Sequence, residues 1–166
     1  AKQWRRFDLA ASAGISLTPY GTSALWSLSG GYTPAAGLHL GIGAFQSMRL
    51  PTFTDLYYTS PAQINNLDLT PESAVTYLFD TGYMKNSWRL SLQTYYRAGR
   101  DIIDWVWRED MGDKWHSEQT SRLDTYGIEL SGGYTVADGF LRRVTLSYGY
   151  ITTDRNSCLL YTSPSP

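Results

Sequence analysis

Few side chains in this sequence have the chemistry that catalysis requires. The 166 residues include two histidines, His39 and His116, and a single cysteine, Cys158. A transition-metal site needs several nitrogen, sulphur or carboxylate ligands close together, which these residues do not supply. Serines are numerous, but no Gly-x-Ser-x-Gly turn accompanies them. The sequence therefore predicts no catalytic residue, no cofactor and no bound metal, and the chain is not expected to be an enzyme.

The acidic residues Glu109, Asp110 and Asp113 occupy one charged stretch. Calcium binds clustered oxygen ligands, but it favours alternate positions of a loop, which these three do not occupy. A solvated charged loop is the favoured interpretation. The histidines are interpreted in similar terms, His39 as a hydrogen-bonded residue on a polar strand face and His116 as a solvent-exposed loop residue.

Binding of a small molecule is better supported than catalysis. One stretch contains Trp105, Trp107, Arg108, Lys114, Trp115 and His116, and an earlier one contains Asp55, Tyr57 and Tyr58. Aromatic rings and cations together can bind a flat or anionic ligand. An alternative for Trp105 and Trp107 is that they brace an extended β-ribbon or belong to an aromatic membrane belt. The ligand-contact candidates are Asp55, Tyr57, Tyr58, Trp105, Trp107, Trp115 and His116.

The elements expected to position these candidates are β-strands. Apolar and polar residues alternate over seven segments, which is typical of strands with one apolar and one polar face. The segments are 4–17, 25–32, 38–49, 72–83, 88–98, 123–135 and 141–152. No run approaches the roughly 20 apolar residues of a membrane-spanning helix.

The connections between these segments alternate in length after the second strand. Residues 34–37, 84–87 and 136–140 form short connections, and residues 50–70 and 100–121 form long ones. Outer-membrane barrels have short periplasmic turns and longer extracellular loops. The pattern therefore predicts an orientation, with the short turns inside and the long loops outside.

Aromatic residues bound the apolar face of several segments. They stand six to eight residues apart in the pairs Trp26 and Tyr32, Tyr77 and Tyr83, Trp88 and Tyr96, and Tyr126 and Tyr134. That spacing spans roughly 16–21 Å of the membrane normal, near the apolar band of about 25 Å between the aromatic girdles of a barrel. The predicted membrane-girdle residues are Tyr32, Tyr83, Trp88, Tyr96, Tyr126 and Tyr134, of which Tyr32, Tyr83, Trp88 and Tyr134 fall beside short turns.

A soluble β-sandwich is the main alternative fold, because its strands also alternate. Its buried face is normally richer in Val, Ile and Leu, whereas the polar face here carries Arg89, Gln93, Arg97 and Glu129, as a water-facing lumen does. Glu129 is expected to pair with a cation of the adjacent strand such as Arg97. The formal charge of −1 favours no nucleic-acid partner. The sequence thus predicts an all-β fold, a partial transmembrane antiparallel β-barrel of about seven strands.

Two motifs in the first long connection make the prediction more specific. The first is an R-x-P-T-x-x-x-L-Y run at 49–57 and the second is an N-x-x-L-x-P-E run at 66–72. Asp101-Ile102-Ile103-Asp104 and Tyr126-Gly127-Ile128-Glu129-Leu130 add weaker similarities. In this order and spacing the motifs resemble those of TonB-dependent outer-membrane receptors, and in particular receptors for vitamin B12 and iron chelates of the Bacteroidetes type.

The resemblance implies a bacterial outer-membrane protein that imports a scarce nutrient such as cobalamin or an iron-siderophore. Members of the family are 22-stranded barrels with an N-terminal plug domain, and the TonB protein relays energy to them. Residues 1–155 would form about a third of such a barrel, and residues 156–166 are interpreted as a non-native tail. The implied partners are outer-membrane lipid, the plug domain, TonB and a small nutrient, with the plug facing the lumen residues. A plug-less porin-type or fatty-acid channel and a carbohydrate-binding sandwich remain the alternative functions.

Overall fold

The computed structural model describes residues 2–4, 6–109, 111–136 and 142–155. The predicted tail at 156–166, with Cys158, lies outside the described residues, as does Asp110. In chain order the described elements are β1 (Lys2–Trp4), β2 (Phe7–Thr18), β3 (Gly21–Ala35), β4 (Leu38–Arg49), α1 (Phe53–Tyr57), β5 (Gln63–Ile64), β6 (Glu72–Lys85), β7 (Trp88–Arg108), β8 (Lys114–Thr135) and β9 (Arg143–Arg155). No helix among these elements is long and apolar enough to cross a membrane.

The long strands form one antiparallel sheet in which each strand pairs with its neighbours along the chain. The order is β1-β2-β3-β4-β6-β7-β8, and β9 pairs with residues Leu123–Thr135 of β8. The two-residue strand β5 pairs in parallel with Trp115 and His116 near the start of β8. Over the described residues the sheet stays open, because no strand pairs with the outer edge of β9. The predicted segment of an antiparallel β-barrel is confirmed.

Cross-strand register keeps apolar residues on one face of the sheet. Residues directly opposite each other in antiparallel strands project from the same face, and Leu92 stands opposite both Thr81 and Leu130. Large side chains on this face are exposed, among them Phe7, Leu9, Ile15, Leu28, Ile42, Leu130 and Leu146. An apolar surface of this extent needs lipid or protein to cover it. This is the membrane-facing side of the barrel wall.

The opposite, polar face is lined by small and hydroxyl-bearing residues. Ser12 and Ser27 share a hydrogen bond of 2.8 Å across β2 and β3. The carboxylates of Asp8 and Asp80 lie over Gly31 and Gly41, where a Cβ atom would come within 2.4 Å and 2.3 Å of a carboxylate oxygen. Only glycine leaves room for these side chains to lie flat across the neighbouring strand.

Aromatic side chains form two rows across the apolar face. At the short-turn end, Phe7 stacks on Tyr32 at 4.4 Å and Trp88 packs against Tyr134 at 4.8 Å between ring centroids. At the other end, Tyr96 lies between Tyr77, at 6.2 Å, and Tyr126, at 4.8 Å. The structure therefore brings most of the predicted girdle residues into two rows, and their contact with the membrane boundary stays a prediction.

The short turns are tight, as predicted for the inner end of the barrel. Gly37 has φ +82°, and a Cβ atom there would lie 2.0 Å from the Met84 carbonyl oxygen. Asn86 occupies the left-handed region with φ +54° in the next turn. In the third turn, Val136 N donates to Arg142 O at 3.0 Å. Residues 137–141 of this turn lie outside the described residues.

The prediction of a long loop at 100–121 is wrong. Strand β7 continues to Arg108 and β8 begins at Lys114, with paired residues up to Arg108 and Lys114. The charged residues that suggested a loop are paired across the strands instead, as in the contact between Arg108 Nε and Glu118 Oε1 at 2.6 Å. Trp105 and Trp107 therefore lie in an extended two-stranded β-ribbon, as one of the sequence interpretations has it. We call residues 101–121 the ribbon.

Other strand boundaries also differ from the prediction. The first predicted segment is divided, since β1 ends at Trp4 and pairs with β2 through Trp4 and Phe7. Strand β3 extends to Ala35, so the turn after it is shorter than predicted. Residues 50–71, which we call the docked loop, contain α1 and β5 and are therefore not wholly irregular.

The assignment of faces predicts opposite effects of arginine at two adjacent positions. Leu92 lies between Trp88 and Tyr96 on the apolar face, so Leu92→Arg should destabilise the barrel by roughly 2–4 kcal/mol. Gln93 stands opposite Asp80 and Glu129 on the polar face, so Gln93→Arg should be tolerated. Denaturant unfolding of the full-length protein in lipid vesicles measures both. Equal destabilisation by the two variants would show that the faces are wrongly assigned.

Candidate ligand-binding site at the loop end

A capping box begins the short helix α1 of the docked loop. The Thr52 hydroxyl accepts a hydrogen bond from Asp55 N at 3.2 Å, and Thr52 N donates to Asp55 Oδ2 at 2.9 Å. This reciprocal pair satisfies two backbone donors that a helix N-terminus otherwise leaves free. Leu56 faces inward, whereas the rings of Phe53 and Tyr57 lie 5.0 Å apart on the exposed side.

An ion-pair cluster anchors this helix to the sheet. The Arg49 guanidinium at the end of β4 donates to Glu72 at the start of β6, and its Nη1 lies 3.6 Å from Asp55 Oδ2. Glu72 Oε1 also accepts a hydrogen bond of 2.7 Å from Ile103 N on the ribbon. We call Arg49, Asp55 and Glu72 the clamp, because together they join two strands, the docked loop and the ribbon.

The two carboxylates of the clamp are buried while Arg49 is about half exposed, and the electrostatics favour the ionised form of Glu72. Asp55 and Glu72 are 7% and 5% exposed. Burial opposes ionisation of Glu72, but the hydrogen bonds from Arg49 and Ile103 N and the Arg49 charge outweigh it, so the pKa of Glu72 is lowered. The hydrogen bond to Glu72 raises the pKa of Arg49. Glu72 lies five residues beyond Tyr77 and thus outside the apolar band.

Apolar and hydrogen-bonded contacts complete the docking of the loop. Leu56, Leu69 and Ile103 form the buried hydrophobic cluster found in the described residues, with Leu69 only 1% exposed. The Gln119 side-chain amide donates to Thr70 O at 2.6 Å and to Asp101 O at 3.0 Å. Strand β5 pairs with Trp115 and His116, and Trp115 N donates to Ala62 O at 2.9 Å. The loop is therefore fixed against the ribbon at three points: Leu56 with Leu69, residues 62–64, and Thr70.

These contacts give the two loop motifs a physical meaning. The first motif supplies Arg49, the capping pair Thr52 and Asp55, and buried Pro51 and Leu56; the second supplies buried Leu69 and Glu72. Pro51, Leu56, Leu69 and Glu72 are buried and hold the loop in place, whereas Tyr57 of the first motif is exposed. Asp55, a predicted ligand-contact residue, is accordingly placed in the clamp and not on the exposed surface.

The other aromatic candidates lie exposed at the same end of the sheet. Tyr57 and Tyr58 are 57% and 47% exposed on the docked loop. Trp107 and Trp115 pack edge to face at 5.6 Å near the tip of the ribbon and remain partly exposed, while Trp105 is half-buried. Their contact with a ligand stays a prediction.

Phe53 was missed as a candidate, although it is 77% exposed beside Tyr57. The helical spacing of four residues between Phe53 and Tyr57 is the signal that relates them, but it has meaning only once a helix is recognised here. The described residues contain no group of three or more His, Cys, Asp or Glu side chains able to hold a metal ion.

The two histidines differ in their surroundings. His116 is half-buried on the ribbon, and its Nε2 is enclosed with no hydrogen-bond partner in the described part of the chain, so the predicted full solvent exposure is wrong. Pairing with β5 at Ile64 encloses it, which local sequence does not reveal. His39 lies on the polar face, as predicted, but its Nε2 is 3.7 Å from Asp80 Oδ2, too far for the predicted hydrogen bond.

The predicted lumen residues all lie on the polar face. Gln93 stands directly opposite Glu129, and Arg97 stands opposite Thr125, four positions further along β8. The predicted pair between Arg97 and Glu129 is therefore wrong, because the register separates them by roughly 13 Å along the strand. Arg89 lies nearer the short turns, with Nη2 3.6 Å from the Met84 sulphur. A contact between these residues and a plug domain stays a prediction.

The exposed apolar face, the aromatic rows and the docked loop define a segment of a transmembrane β-barrel wall with structured connections at one end. Residues 3–165 match the family described as TonB dependent receptor-like, beta-barrel. The chain belongs to this family of transporters and receptors, whose barrels lie in the outer membrane.

Relatives with known names agree with this assignment. The chain is 27% identical over 135 residues to the vitamin B12 transporter BtuB of Photobacterium profundum, covering 80% of this chain and 21% of that protein. It therefore spans about a fifth of the length of this relative.

Two solved structures show the same fold at low sequence identity. The siderophore receptor PirA of Pseudomonas aeruginosa superposes with a TM-score of 0.75 at 13% identity, over 92% of this chain and 30% of that one. The copper transporter OprC gives 0.65 at 16% identity, over 90% and 27%.

Loss of the Glu72 charge should release the docked loop while leaving the barrel wall intact. In Glu72→Gln, Arg49 loses its charged partner, and we expect docking to weaken by about 1–3 kcal/mol. Hydrogen exchange at Asp55 N and Leu56 N in the full-length protein reports this directly. Glu129→Gln, which alters an exposed glutamate of the same sheet, is the matched control. Unchanged protection in Glu72→Gln would contradict an anchoring role for the clamp.

The lowered pKa of Glu72 also predicts a pH dependence of loop docking. A carboxyl whose pKa is lowered in the folded state stabilises that state at pH values above the ordinary pKa of the group, here 4.5. This contribution is lost as the pH falls through the lowered folded pKa. Protection of the docked loop should therefore decline below pH 4.5 in the native protein but not further in Glu72→Gln. A parallel decline in both proteins would place the titrating group elsewhere.

Proposed function

We propose that this chain is part of an outer-membrane receptor that imports a scarce chelated nutrient, such as cobalamin, an iron-siderophore or a similar chelate. Its proposed role is transport and not catalysis, and the energy for uptake would come through TonB. Membership of the family supports the transport class, and similarity to a vitamin B12 transporter and a siderophore receptor supports chelated nutrients as cargo. The proposal extends to the whole protein, of which this chain is one segment.

The observation that carries the proposal is the docking of residues 50–71 on the polar side of the sheet. Arg49 and Glu72 both belong to the polar face; Arg49 contacts Asp55 of the loop, and Glu72 accepts a hydrogen bond from Ile103 N of the ribbon. The loop therefore turns toward the lumen side of the wall. Its exposed tyrosines are presented at the end of the sheet from which a ligand would enter.

Exposed aromatic rings from two elements then meet the ligand. The docked loop contributes Tyr57 and Tyr58, together with Phe53, and the ribbon contributes Trp107 and Trp115. Flat aromatic surfaces suit a corrin ring or the aromatic and apolar parts of an iron chelate. Arg108 is committed to Glu118, so the rings and not this cation provide the larger part of the contact.

The polar face would support a plug domain that lies elsewhere in the protein. Arg89, Gln93, Arg97 and Glu129 project from this face with half-exposed or exposed side chains. Charged and amide groups of this kind can hydrogen-bond to a domain filling the lumen while tolerating water. The gene that encodes this chain is accordingly expected to encode a plug domain and a segment that contacts TonB.

Removal of the exposed rings should weaken ligand binding without unfolding the wall. We expect the double variants Tyr57→Ala with Tyr58→Ala, and Trp107→Ala with Trp115→Ala, each to weaken binding of the transported chelate by about tenfold or more. Binding to the full-length protein is measured with cyanocobalamin, a ferric catecholate and a ferric hydroxamate as probes. Trp88→Ala, at the short-turn end, is the control that should bind normally.

Growth of a deletion strain on single cobalamin or iron sources links binding to transport. The native gene should restore growth on one of these sources, and the double variants should raise the concentration needed. Restoration on none of them, together with binding of none of the three probes, would overturn the proposed cargo class. Normal binding by both double variants would remove the aromatic residues from the site.

A further inference from the structure

Two arginines stand directly opposite each other on the apolar face, beyond the upper aromatic row. Arg100 of β7 is paired in register with Arg122 of β8, four residues above Tyr96 and Tyr126 respectively. Alternation along both strands places them on the same face as these tyrosines. Arg122 confirms this by donating from Nη2 to the Tyr96 hydroxyl at 3.3 Å. Both arginines are exposed.

The surroundings of the pair orient one guanidinium and leave the other open. Arg122 Nε donates to Asp124 Oδ2 at 2.9 Å, which together with Tyr96 holds its guanidinium in place. Arg122 Nη1 and the whole guanidinium of Arg100 make no hydrogen bond or ion pair within the described residues. Asp154 stands opposite Asp124 on β9, so both carboxylates lie one row nearer the tyrosines than the arginine pair.

Arg122 of this pair has Asp124 as its counter-ion, whereas Arg100 has no ion-pair partner among the described residues. Like charges directly opposite each other across two strands destabilise a sheet. One phosphate can accept charge-assisted hydrogen bonds from both guanidinium groups, whose planar arrangement of donors suits its oxygens. Asp124 offsets part of the Arg122 charge, but it lies on the side of the tyrosines and leaves the outward side of both arginines free.

The height of the pair identifies the source of that phosphate. Four residues of a tilted strand raise the arginines roughly 10 Å above the Tyr96 and Tyr126 row along the membrane normal. Aromatic rows mark the boundary between acyl chains and headgroups, so the pair lies at the level of the headgroups. Below it, Ala98 and the tyrosines continue into the apolar band, where the acyl chains of the same lipid would pack.

We propose that Arg100 and Arg122 form a binding site for a phosphate group of an outer-leaflet lipid headgroup. Asp124 acts as a positioning residue that orients the Arg122 guanidinium toward the lipid. The site rests on the outer-membrane receptor of the proposed function and on the orientation predicted from the connections, with the long loops outside, but it is independent of which nutrient is imported. It lies on the outer surface of the wall, on the opposite face from the lumen residues.

Lipid binding to the full-length protein tests the proposal. The purified protein is titrated in detergent with three probes: a phosphorylated lipid A, the same lipid with its phosphates removed, and inorganic phosphate. Native mass spectrometry reads the bound fraction. We expect the native protein to prefer the phosphorylated lipid by at least about tenfold over the dephosphorylated one, and to bind inorganic phosphate much more weakly.

The variants assign that preference to the two arginines. Arg100→Gln with Arg122→Gln should abolish it, and Arg100→Gln alone should reduce it while leaving Asp124 and Arg122 paired. Arg89→Gln, on the polar face of the same strand, is the matched control and should retain the full preference. Heat-modifiable gel mobility shows which variants are folded, and the single variant serves if the double one is not.

Two outcomes would overturn the site. One is equal binding of the phosphorylated and dephosphorylated lipids by the native protein, or binding of inorganic phosphate as tight as that of the lipid. The other is a phosphate preference that persists in the folded arginine variants. Chelate binding is measured on the same preparations, so failure of the nutrient proposal is distinguished from failure of the lipid site.

Discussion

The structure depends first on an uninterrupted ladder of backbone hydrogen bonds between neighbouring strands. Strands β3, β4, β6, β7 and β8 pair along both edges, which leaves few backbone donors and acceptors of the wall for lipid to satisfy. Because side chains alternate, a slip of one residue in this ladder would turn every apolar residue toward the lumen. The tight turns at Gly37 and Asn86 fix the register, and the register in turn fixes which face meets lipid.

Above the wall, the clamp replaces the ladder as the organising contact. The docked loop has only two residues in a strand, so backbone pairing alone does not hold it. Arg49 and Glu72 are already aligned by the pairing of β4 with β6, and this alignment lets them capture Asp55 and the ribbon backbone at Ile103. The Asp55 and Glu72 carboxylates are buried while Arg49 is about half exposed, so loss of Arg49 would leave two buried carboxylates without their cation, which costs more than the pair contributes.

The sequence predicts the wall better than it predicts the site. Alternation and turn residues locate the strands because both signals are local, and the face assignments of Leu92 and Gln93 follow from them. The clamp joins Arg49 to Glu72 across 23 positions, so no local pattern reveals it; only the resemblance of the motifs marks those residues. The sequence did not predict the ribbon, because charged residues such as Arg108 and Glu118 suggest a solvated loop. Only the structure shows that these two side chains contact each other across the strands.

A single backbone conformation separates the wall from the ribbon. Asp101 has φ +55°, a left-handed conformation that costs a non-glycine residue about 1–2 kcal/mol, although aspartate tolerates it better than most. Strict alternation would bury only one of the next two residues, yet both Ile102 and Ile103 are buried after this kink. The Gln119 side chain donates a hydrogen bond to the Asp101 carbonyl oxygen. The Ile103 side chain packs against Leu69, and Ile103 N donates to Glu72. The contacts that dock the loop thus offset the local strain. Strand β7 belongs to the barrel wall before Asp101 and to the candidate ligand site after it.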